Sequence, residues 1–213
     1  MVKPMMNFSS PKLSLRLARF AQYYQAQHII WDVGCDHAHL GLSFLNHPHG
    51  PEIHLVDPAL PVIKKLQDNI DADIPRAHLF HMSGQEIKLN TNLSHFIFIA
   101  GMGGPEIISI MKELLPQMKE GDRLLISPHT KVLAVREFLQ EQGPWLHHEE
   151  VIEESGIWYP HFLLGWGGRL TALYGDEIFQ TEAGSRYAEY LREKLTKHQD
   201  QQSKDFLNFL RGL

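Results

Sequence analysis

Short apolar segments that alternate with helical segments constrain the fold of this chain more than any other feature. Five of them read as strands: residues 28–34, 53–57, 77–81, 96–100 and 123–127. Apolar residues at helical spacing predict helices near residues 9–24, 38–45, 59–70, 107–115 and 132–142, the first of them capped by residues 9–11. Because parallel strands need a crossover connection, this alternation predicts an α/β fold with a doubly wound, mostly parallel sheet.

The pattern changes after the last of these helices. Two extended runs, residues 146–154 and 157–164, are separated only by Ser155 and Gly156, which is typical of a β-hairpin. The sheet is therefore predicted to have an antiparallel C-terminal edge. From Glu182 onward, apolar residues at helical spacing predict a short helical C-terminus. We accordingly divide the chain into a main domain of residues 1–175 and a helical extension of residues 176–213.

Composition excludes several classes of protein. With 213 residues, 43% of them hydrophobic, the chain has room for one full core and at most a small appendage. The formal net charge of −5 argues against a nucleic-acid binder that uses its whole surface, but permits a local basic patch. We find no apolar stretch of about 20 residues and no signal peptide, so we expect a cytoplasmic protein with no membrane partner.

Histidine is unusually frequent, with 14 copies, and raises the question of a metal site. The close pairs are at positions 37 and 39, 47 and 49, and 147 and 148. Such spacings rarely place imidazoles around a metal ion, and Cys35 is the single cysteine. The sequence therefore predicts no metal site.

The loop after the first strand is the first candidate binding site, because ligands of open parallel sheets bind at the carboxyl ends of the strands. Gly34 allows close approach of the backbone to a ligand. The other two glycines of a dinucleotide-binding G-x-G-x-x-G motif are missing, which excludes a nicotinamide-dependent dehydrogenase. Asp32 and Asp36 would repel a phosphate but attract ammonium and sulfonium groups. The loop therefore indicates S-adenosylmethionine as the cofactor.

Two later turns are predicted to contact the same cofactor. Asp57 follows Gly34 by about 20 residues, the spacing at which a carboxylate accepts both ribose hydroxyls; a helix cap is the alternative role. Pro58 follows in the same loop. After the third strand come Gly84 and Gln85, where the Gln85 amide either pairs with the adenine edge or remains an exposed turn residue.

The strongest local signal is the run Ala100-Gly101-Met102-Gly103-Gly104 after the fourth strand. Three glycines in four positions allow backbone to line a ligand channel, with a tight strand-to-helix turn as the alternative. We predict that these five residues contact the cofactor.

Three motifs, in this order, resemble the bacterial tRNA (adenine-22-N1)-methyltransferases. Residues 13–17 read Leu-Ser-Leu-Arg-Leu, where the family has Leu-Ser-x-Arg-Leu. Residues 32–40 and 99–104 are similar to the family's Asp-Ile-Gly-Ser-Asp-His-Ala-Tyr-Leu and Ile-Ala-Gly-Met-Gly-Gly. The resemblance extends over about residues 13–165. It implies a Rossmann-like class I methyltransferase that uses S-adenosylmethionine to methylate adenine N1 in tRNA.

The resemblance also implies roles for individual residues. Asp36 and His37 would be catalytic and face the target base, where a carboxylate stabilises the positive charge that spreads into the adenine. The candidate tRNA contacts are Arg16, Arg19, His39, His129 and Arg192. Charges on amphipathic helices also commonly form a solvated face.

The chain departs from the family at several positions. His39 stands where the family has Tyr, Gln85 where it has Asp, and Ser127-Pro128-His129 where it has Gln-Pro-Asn. Two other functions therefore stay open: a methyltransferase for another RNA or a small molecule, and a non-catalytic module that binds the cofactor or a nucleotide. For the assembly we expect a monomer or a weak homodimer.

Overall fold

A computed structural model of the chain describes residues 12–27, 29–45, 50–70, 75–175, 177–197 and 200–213. The strands are β1 (Ile29–Val33), β2 (Glu52–Asp57), β3 (Ala77–His81), β4 (His95–Ala100), β5 (Arg123–Ser127), β6 (Leu146–Glu154) and β7 (Ile157–Gly165). The helices are α1 (Leu15–Gln22), α2 (His39–Leu42), α3 (Leu60–Asn69), α4 (Gly104–Leu114), α5 (Val132–Gln142), α6 (Glu182–Leu195) and α7 (Gln201–Arg211).

The strands form one sheet in the order β3-β2-β1-β4-β5-β7-β6. Strands β1 to β5 are parallel, and β7 pairs antiparallel with both β5 and β6. This arrangement confirms the predicted doubly wound sheet with an antiparallel C-terminal hairpin. The strand order reverses between β1 and β4, so the loops that follow these two strands flank the position where ligands of such sheets bind.

Helices cover both faces of the sheet. On β1, Trp31 and Val33 pack in the cluster formed with α4 and α5, whereas Ile30 packs in the cluster formed with α1, α2 and α3. Successive side chains of a strand point to opposite faces, so a strand between two helical layers must be apolar along its length. All five residues of β1 are buried accordingly.

Helices α6 and α7 pack together beside the hairpin. Val151 of β6, Tyr187 of α6, and Phe206 and Leu210 of α7 are buried in one cluster. The predicted helical C-terminus is therefore confirmed. The predicted domain boundary adjoins Asp176, which lies outside the described residues, and the division into two domains stays a prediction. Within the described part of the chain, no helix is both long enough and apolar enough to cross a bilayer.

The beginnings of the first two helices differ from the predicted ones. The predicted cap at residues 9–11 lies outside the described residues, and α1 begins at Leu15, where the Ser14 hydroxyl accepts a hydrogen bond from the Leu17 amide at 3.5 Å. Helix α2 begins at His39, one residue later than predicted, because Ala38 has a left-handed backbone with φ of 54°, and it ends at Leu42, before the predicted end. His28, His47 and His49, which entered the predictions above, also lie outside the described residues.

Candidate active site

The loop after β1 has an unusual backbone conformation. Gly34, Asp36 and Ala38 have positive φ angles of 68°, 47° and 54°. Residues other than glycine rarely adopt this left-handed region of backbone. Each one that does, here Asp36 and Ala38, carries a conformational strain on the order of 1–3 kcal/mol. The amides of Gly34 and Cys35 both donate to the Val56 carbonyl and so fix the start of the loop against β2. Strain of this kind clusters at binding and catalytic sites.

Two buried carboxylates flank this loop. Asp32 Oδ2 accepts a hydrogen bond from the Gly41 amide at 2.8 Å. Asp57 accepts from the Asp36 amide at 3.2 Å and, through its other oxygen, from the Ala59 amide at 2.8 Å. Burial raises the pKa of Asp32 to about 7, against the hydrogen bond from Gly41 and with a further increase from the Asp57 charge. Asp57 therefore joins the loops after β1 and β2, and its oxygens keep lone pairs for a ligand.

The electrostatic potential around this loop is negative. Burial raises the pKa of the Cys35 thiol, and the charges of Asp32, Asp57 and Asp36 raise it further. Such an environment repels a phosphate and attracts a cationic group. The donor set fits S-adenosylmethionine, which carries ammonium and sulfonium charges.

Asp36 and His37 lie at the exposed mouth of the loop. Asp36 Oδ2 is 2.7 Å from His37 Nδ1, and Lys65 Nζ is 3.2 Å from His37 Nε2. Because a lysine ammonium only donates, His37 Nε2 accepts, and the ring proton on Nδ1 is directed to Asp36. The His39 ring lies 5.6 Å from the His37 ring. The structure thus brings these predicted residues together and adds Lys65 of α3, which sequence reasoning missed.

The glycine-rich loop after β4 packs closely against the loop after β5. The Gly104 amide donates to the Thr130 carbonyl at 3.0 Å, and the His129 amide donates to the Met102 carbonyl at 2.9 Å. A Cβ at Gly104 would lie 2.8 Å from the Thr130 carbonyl oxygen, and one at Gly103 would lie 3.1 Å from the Thr130 hydroxyl. These two glycines therefore serve the packing of loop against loop.

The preceding part of the same loop is more open. Gly101 is exposed, has φ of 87°, and a Cβ there would meet only His129, at 4.0 Å. The side chain of Met102 reaches across to Gly34, where a Cβ would lie 2.1 Å from the Met102 methyl. Ala100 is half-buried at the end of β4. The loops after β1 and β4 thus meet at the point where the strand order reverses.

The turn after β3 is packed against α4. Gly84 is buried, and a Cβ there would lie 2.8 Å from Val33. The Gln85 amide nitrogen donates to Glu106 Oε1 at 2.9 Å and to the Ser109 hydroxyl at 3.1 Å. The structure therefore gives both residues a role in holding this turn on α4, and their contact with an adenine edge stays a prediction.

Two rings, those of His129 and Tyr159, lie beside the glycine-rich loop, with the Arg16 guanidinium over the Tyr159 ring. We call these three side chains the aromatic wall. The His129 and Tyr159 rings are 5.2 Å apart, and the Arg16 guanidinium lies 4.8 Å from the centre of the Tyr159 ring. Burial lowers the pKa of His129, and the Arg16 charge lowers it further, which favours the neutral imidazole. Tyr159 of β7 was not among the predicted site residues.

The three arginines among the predicted tRNA contacts are all engaged within the protein, and Arg16 Nε lies 3.6 Å from Glu154 Oε2. Arg19 binds Glu150 through two hydrogen bonds of 2.7 and 2.9 Å, which hold α1 on β6. Arg192 donates to the Leu210 carbonyl at 3.0 Å and so joins α6 to α7. The predicted cofactor contact Pro58 is exposed, and its carbonyl accepts from His81 Nε2 at 3.1 Å.

Comparison with known proteins bears on this geometry. The family described as a methyltransferase domain matches residues 13–162. The chain belongs to this methyltransferase family. A relative of this chain, the tRNA (adenine(22)-N(1))-methyltransferase of Bacillus subtilis (strain 168), is 27% identical over 183 residues, which is 84% of this chain and 68% of the relative. This relative agrees with the resemblance predicted from the three sequence motifs.

Solved structures of other proteins have the same fold as this member of the methyltransferase family. TrmK from M. capricolum, in complex with S-adenosyl-homocysteine, has a TM-score of 0.76 at 18% identity, with 94% of this chain and 96% of that chain covered. A Streptococcus pneumoniae protein in complex with S-adenosyl-L-methionine has a TM-score of 0.77 at 22% identity, with coverages of 94% and 99%. Nearly the whole of this chain therefore shares one architecture with these proteins.

Proposed function

We propose that this chain is a tRNA methyltransferase that transfers a methyl group from S-adenosylmethionine to N1 of an adenine, at position 22 by similarity to the Bacillus subtilis relative. The observation that carries the proposal is the hydrogen bond between the Asp36 amide and the Asp57 carboxylate. It places a buried acceptor and an exposed carboxylate on adjacent loops beside the switch in strand order. Such an enzyme acts in the cytoplasm, where tRNA is its partner.

Cofactor binding is assigned to the buried side of the site. Each oxygen of Asp57 already accepts one amide hydrogen, so the carboxylate is held in a single orientation for the two ribose hydroxyls. Gly34 and Gly101 supply backbone that can approach a ligand closely. When bound, S-adenosylmethionine supplies a methyl group on a positively charged sulfonium.

Base activation is assigned to Asp36. Adenine N1 attacks with a neutral lone pair, so the reaction needs positioning more than it needs a base. Positive charge spreads from N1 towards the exocyclic amine as the new bond forms, and the Asp36 carboxylate stabilises that charge. His37 and Lys65 act as positioning residues, because the Lys65 ammonium keeps the Nδ1 proton of His37 directed at Asp36.

Base binding is assigned to the aromatic wall. N1 is occupied in a Watson–Crick pair, so the adenine must be unpaired or flipped, and an unstacked base is bound by aromatic side chains. Tyr159 and the neutral His129 provide such rings next to the glycine-rich loop. The methylated base is cationic, and the face of a tyrosine ring favours a cation.

The test uses single-turnover methylation of an unmodified tRNA transcript with labelled S-adenosylmethionine. A transcript with adenine at position 22 should accept one methyl group, identified as 1-methyladenosine after digestion, and the same transcript with guanine at position 22 should accept none. Equal labelling of both transcripts would refute the assigned nucleotide. Cofactor binding by calorimetry without methylation of any RNA would instead identify a non-catalytic binding module.

A second candidate, a methyltransferase for another RNA or a small molecule, is favoured by the engagement of three predicted tRNA contacts. Arg16, Arg19 and Arg192 all have acceptors within the protein, which leaves fewer cations for phosphates. Incubation of the enzyme with labelled cofactor and fractionated cell extract distinguishes the candidates. Label confined to the tRNA fraction supports the first, and label in another fraction supports the second.

A further inference from the structure

We propose that Glu52, His54 and His78 form a binding site for a divalent transition-metal ion of the zinc class. The site lies at the opposite end of the sheet from the candidate active site. The histidine pairs considered in the sequence led to the prediction that no metal is bound. The structure assembles a different set of ligands, and this proposal replaces that prediction.

Strand geometry brings the three side chains together. Glu52 and His54 are two residues apart on β2, so they project from the same face of the sheet. His78 of β3 is the direct partner of His54 in the parallel register. A carboxylate and two imidazoles thus meet on one face although 24 residues separate the two histidines in sequence.

The ligand atoms are close to metal-binding geometry. Glu52 Oε2 lies 3.8 Å from His54 Nε2 and 3.8 Å from His78 Nε2, and the three ligand atoms are all within 4.8 Å of one another. Ligand atoms around a tetrahedral zinc with bonds of about 2.0–2.2 Å are about 3.4 Å apart. Glu52 is exposed and His78 is half-buried, so small rotations of these two side chains can close the remaining gap.

His54 provides an independent observation that points to a ligand. Its Nδ1 is buried without a hydrogen-bond partner, and its Nε2 approaches Glu52 only at 3.8 Å, beyond hydrogen-bonding distance. Edge-on contact with Trp31 at 4.3 Å, together with Phe80 at 5.0 Å, holds the ring in place. The half-buried ring is thus fixed in position, and its Nε2, which makes no hydrogen bond within the described residues, is available to a ligand.

Two imidazoles and one carboxylate define the class of ion. Neutral imidazole nitrogens favour zinc and its neighbours in the first transition row over magnesium or calcium, which prefer oxygen. Three protein ligands leave one coordination position for water. Such an ion would tie the edge strand β3 to β2, and β3 otherwise has one unpaired edge in the sheet.

The metal site and methyl transfer are separable. Asp57 follows His54 by three residues of the same strand, roughly 10 Å at about 3.3 Å per residue. The proposal does not rest on the function proposed above, and loss of the metal should leave methylation by folded enzyme unchanged.

The test is calorimetric titration of the full chain, without a histidine tag, with zinc chloride in a buffer that does not chelate zinc. Wild-type protein should bind one zinc ion more tightly than any other. His78→Ala and Glu52→Gln should each lower the affinity for this zinc ion by at least tenfold. Even the loss of a residue that only hydrogen-bonds a metal ligand lowers metal affinity about 10- to 100-fold. His147→Ala, which removes an exposed histidine of β6, is the matched control and should bind as wild type.

Thermal unfolding with and without zinc gives a second readout. Zinc should raise the melting temperature of wild type and of His147→Ala, and should not raise that of His78→Ala. Melting of each variant without zinc establishes that it is folded, and His78→Gln replaces His78→Ala if the smaller side chain destabilises β3. Identical zinc isotherms for wild type, His78→Gln and Glu52→Gln would overturn the proposal.

Discussion

At the scale of single residues, two aspartates of similar chemistry are placed in opposite environments. Asp57 is buried and accepts two backbone amides, whereas the Asp36 side chain is 71% exposed and held on a left-handed backbone. The buried carboxylate is rigid and suited to binding. The exposed one is free to contact a substrate that arrives from solvent.

Asp36→Asn should slow single-turnover methylation by about 100-fold or more, because it removes the charge that stabilises a cationic transition state while keeping the shape of the side chain. Affinity for S-adenosylmethionine, measured by calorimetry, should change little. Lys65→Met, which removes the partner of His37 but leaves Asp36, should have a smaller effect. An unchanged rate for Asp36→Asn would show that this carboxylate does not face the reacting base.

Tyr159→Ala should weaken tRNA binding by about tenfold or more, since the stacking of one base on an aromatic side chain contributes about 1–3 kcal/mol. Tyr159→Phe keeps the ring and should bind tRNA nearly as wild type. Filter binding of the tRNA transcript measures both variants, and cofactor affinity is the control. Equal weakening by the two substitutions would assign the effect to the hydroxyl and contradict stacking.

At the scale of elements, α1 is held on the hairpin by one carboxylate. Glu150 of β6 binds Arg19 and also accepts the Tyr23 hydroxyl at 2.5 Å. Burial acts to raise the pKa of Glu150, but the hydrogen bonds from Arg19 and Tyr23, with the His161 imidazole 3.8 Å away, outweigh it and lower the pKa to about 2. Since α1 carries Arg16 of the aromatic wall, this contact also positions part of the candidate site.

The lowered pKa of Glu150 makes the docking of α1 dependent on pH. Its contribution to stability is complete above the ordinary pKa of about 4.5 and is lost as pH falls from there towards 2. Glu150→Gln should therefore lower the free energy of unfolding at pH 7 by about 2 kcal/mol, and the difference from wild type should shrink below pH 4.5. Urea unfolding at several pH values measures this. Glu153→Gln, which removes only the exposed pair with Arg186, is the control and should cost less than about 1 kcal/mol.

Gly101→Ala and Gly104→Ala should separate the two uses of glycine in the loop after β4. At Gly104 a Cβ would collide with the backbone of the loop after β5, so alanine should lower the free energy of unfolding by about 1–3 kcal/mol. At Gly101 the added Cβ meets no backbone, but the φ of 87° strains alanine by about 1–3 kcal/mol, so stability should fall by a similar amount and cofactor affinity of the folded variant should fall as well. Urea unfolding and calorimetry of both variants test this, and a Gly101→Ala protein that binds the cofactor normally would contradict it.

The sequence was sufficient to predict those elements whose limits are local. Strand β5 and helix α5 have the predicted bounds because each is an apolar pattern that ends at turn residues. Helix α2 begins one residue later than predicted because Ala38 has a left-handed backbone, in a loop whose start is fixed by hydrogen bonds to the Val56 carbonyl of β2. Local patterns therefore define regular elements better than they define the strained loops between them.

The sequence predicted those residues of the candidate site that lie at the ends of parallel strands. It did not predict those whose position depends on how two strands pair. Asp36 and Asp57 meet because the carboxyl ends of parallel strands share one edge. Tyr159 reaches the site because Ile126 pairs with Phe162 across β5 and β7, which carries the start of β7 beyond the end of β5. Pairing across strands likewise places His78 beside His54. Neither pairing leaves a signal in the spacing of residues.

At the scale of the whole molecule, the C-terminal helices are part of the structure that supports the hairpin. The buried Arg136 of α5 forms an ion pair with the buried Glu149 of β6 and donates to the Ala172 carbonyl at 2.9 Å. Tyr174, in the same segment, stacks on Phe206 of α7 at 5.0 Å. These contacts lie on the hairpin side of the sheet, away from the loops after β1 and β2.

Phe206→Ala should lower the free energy of unfolding by about 3–5 kcal/mol, because it removes a buried aromatic ring from the cluster formed with the hairpin. Affinity for S-adenosylmethionine should be unchanged under conditions in which the variant remains folded. Phe209→Ala, at a half-buried position of the same helix, should cost less. Loss of cofactor affinity in folded Phe206→Ala would show that the C-terminal helices support the active-site loops directly.

The buried state of Cys35 has a practical consequence for labelling. It is the single cysteine among 213 residues, it is buried, and its raised pKa disfavours the thiolate that reacts with maleimides. A cysteine introduced at the exposed position of Asn208 on α7 would therefore be the fast-reacting thiol in an otherwise native chain. A fluorophore attached there would report whether tRNA approaches the C-terminal helices, without any substitution in the loop after β1.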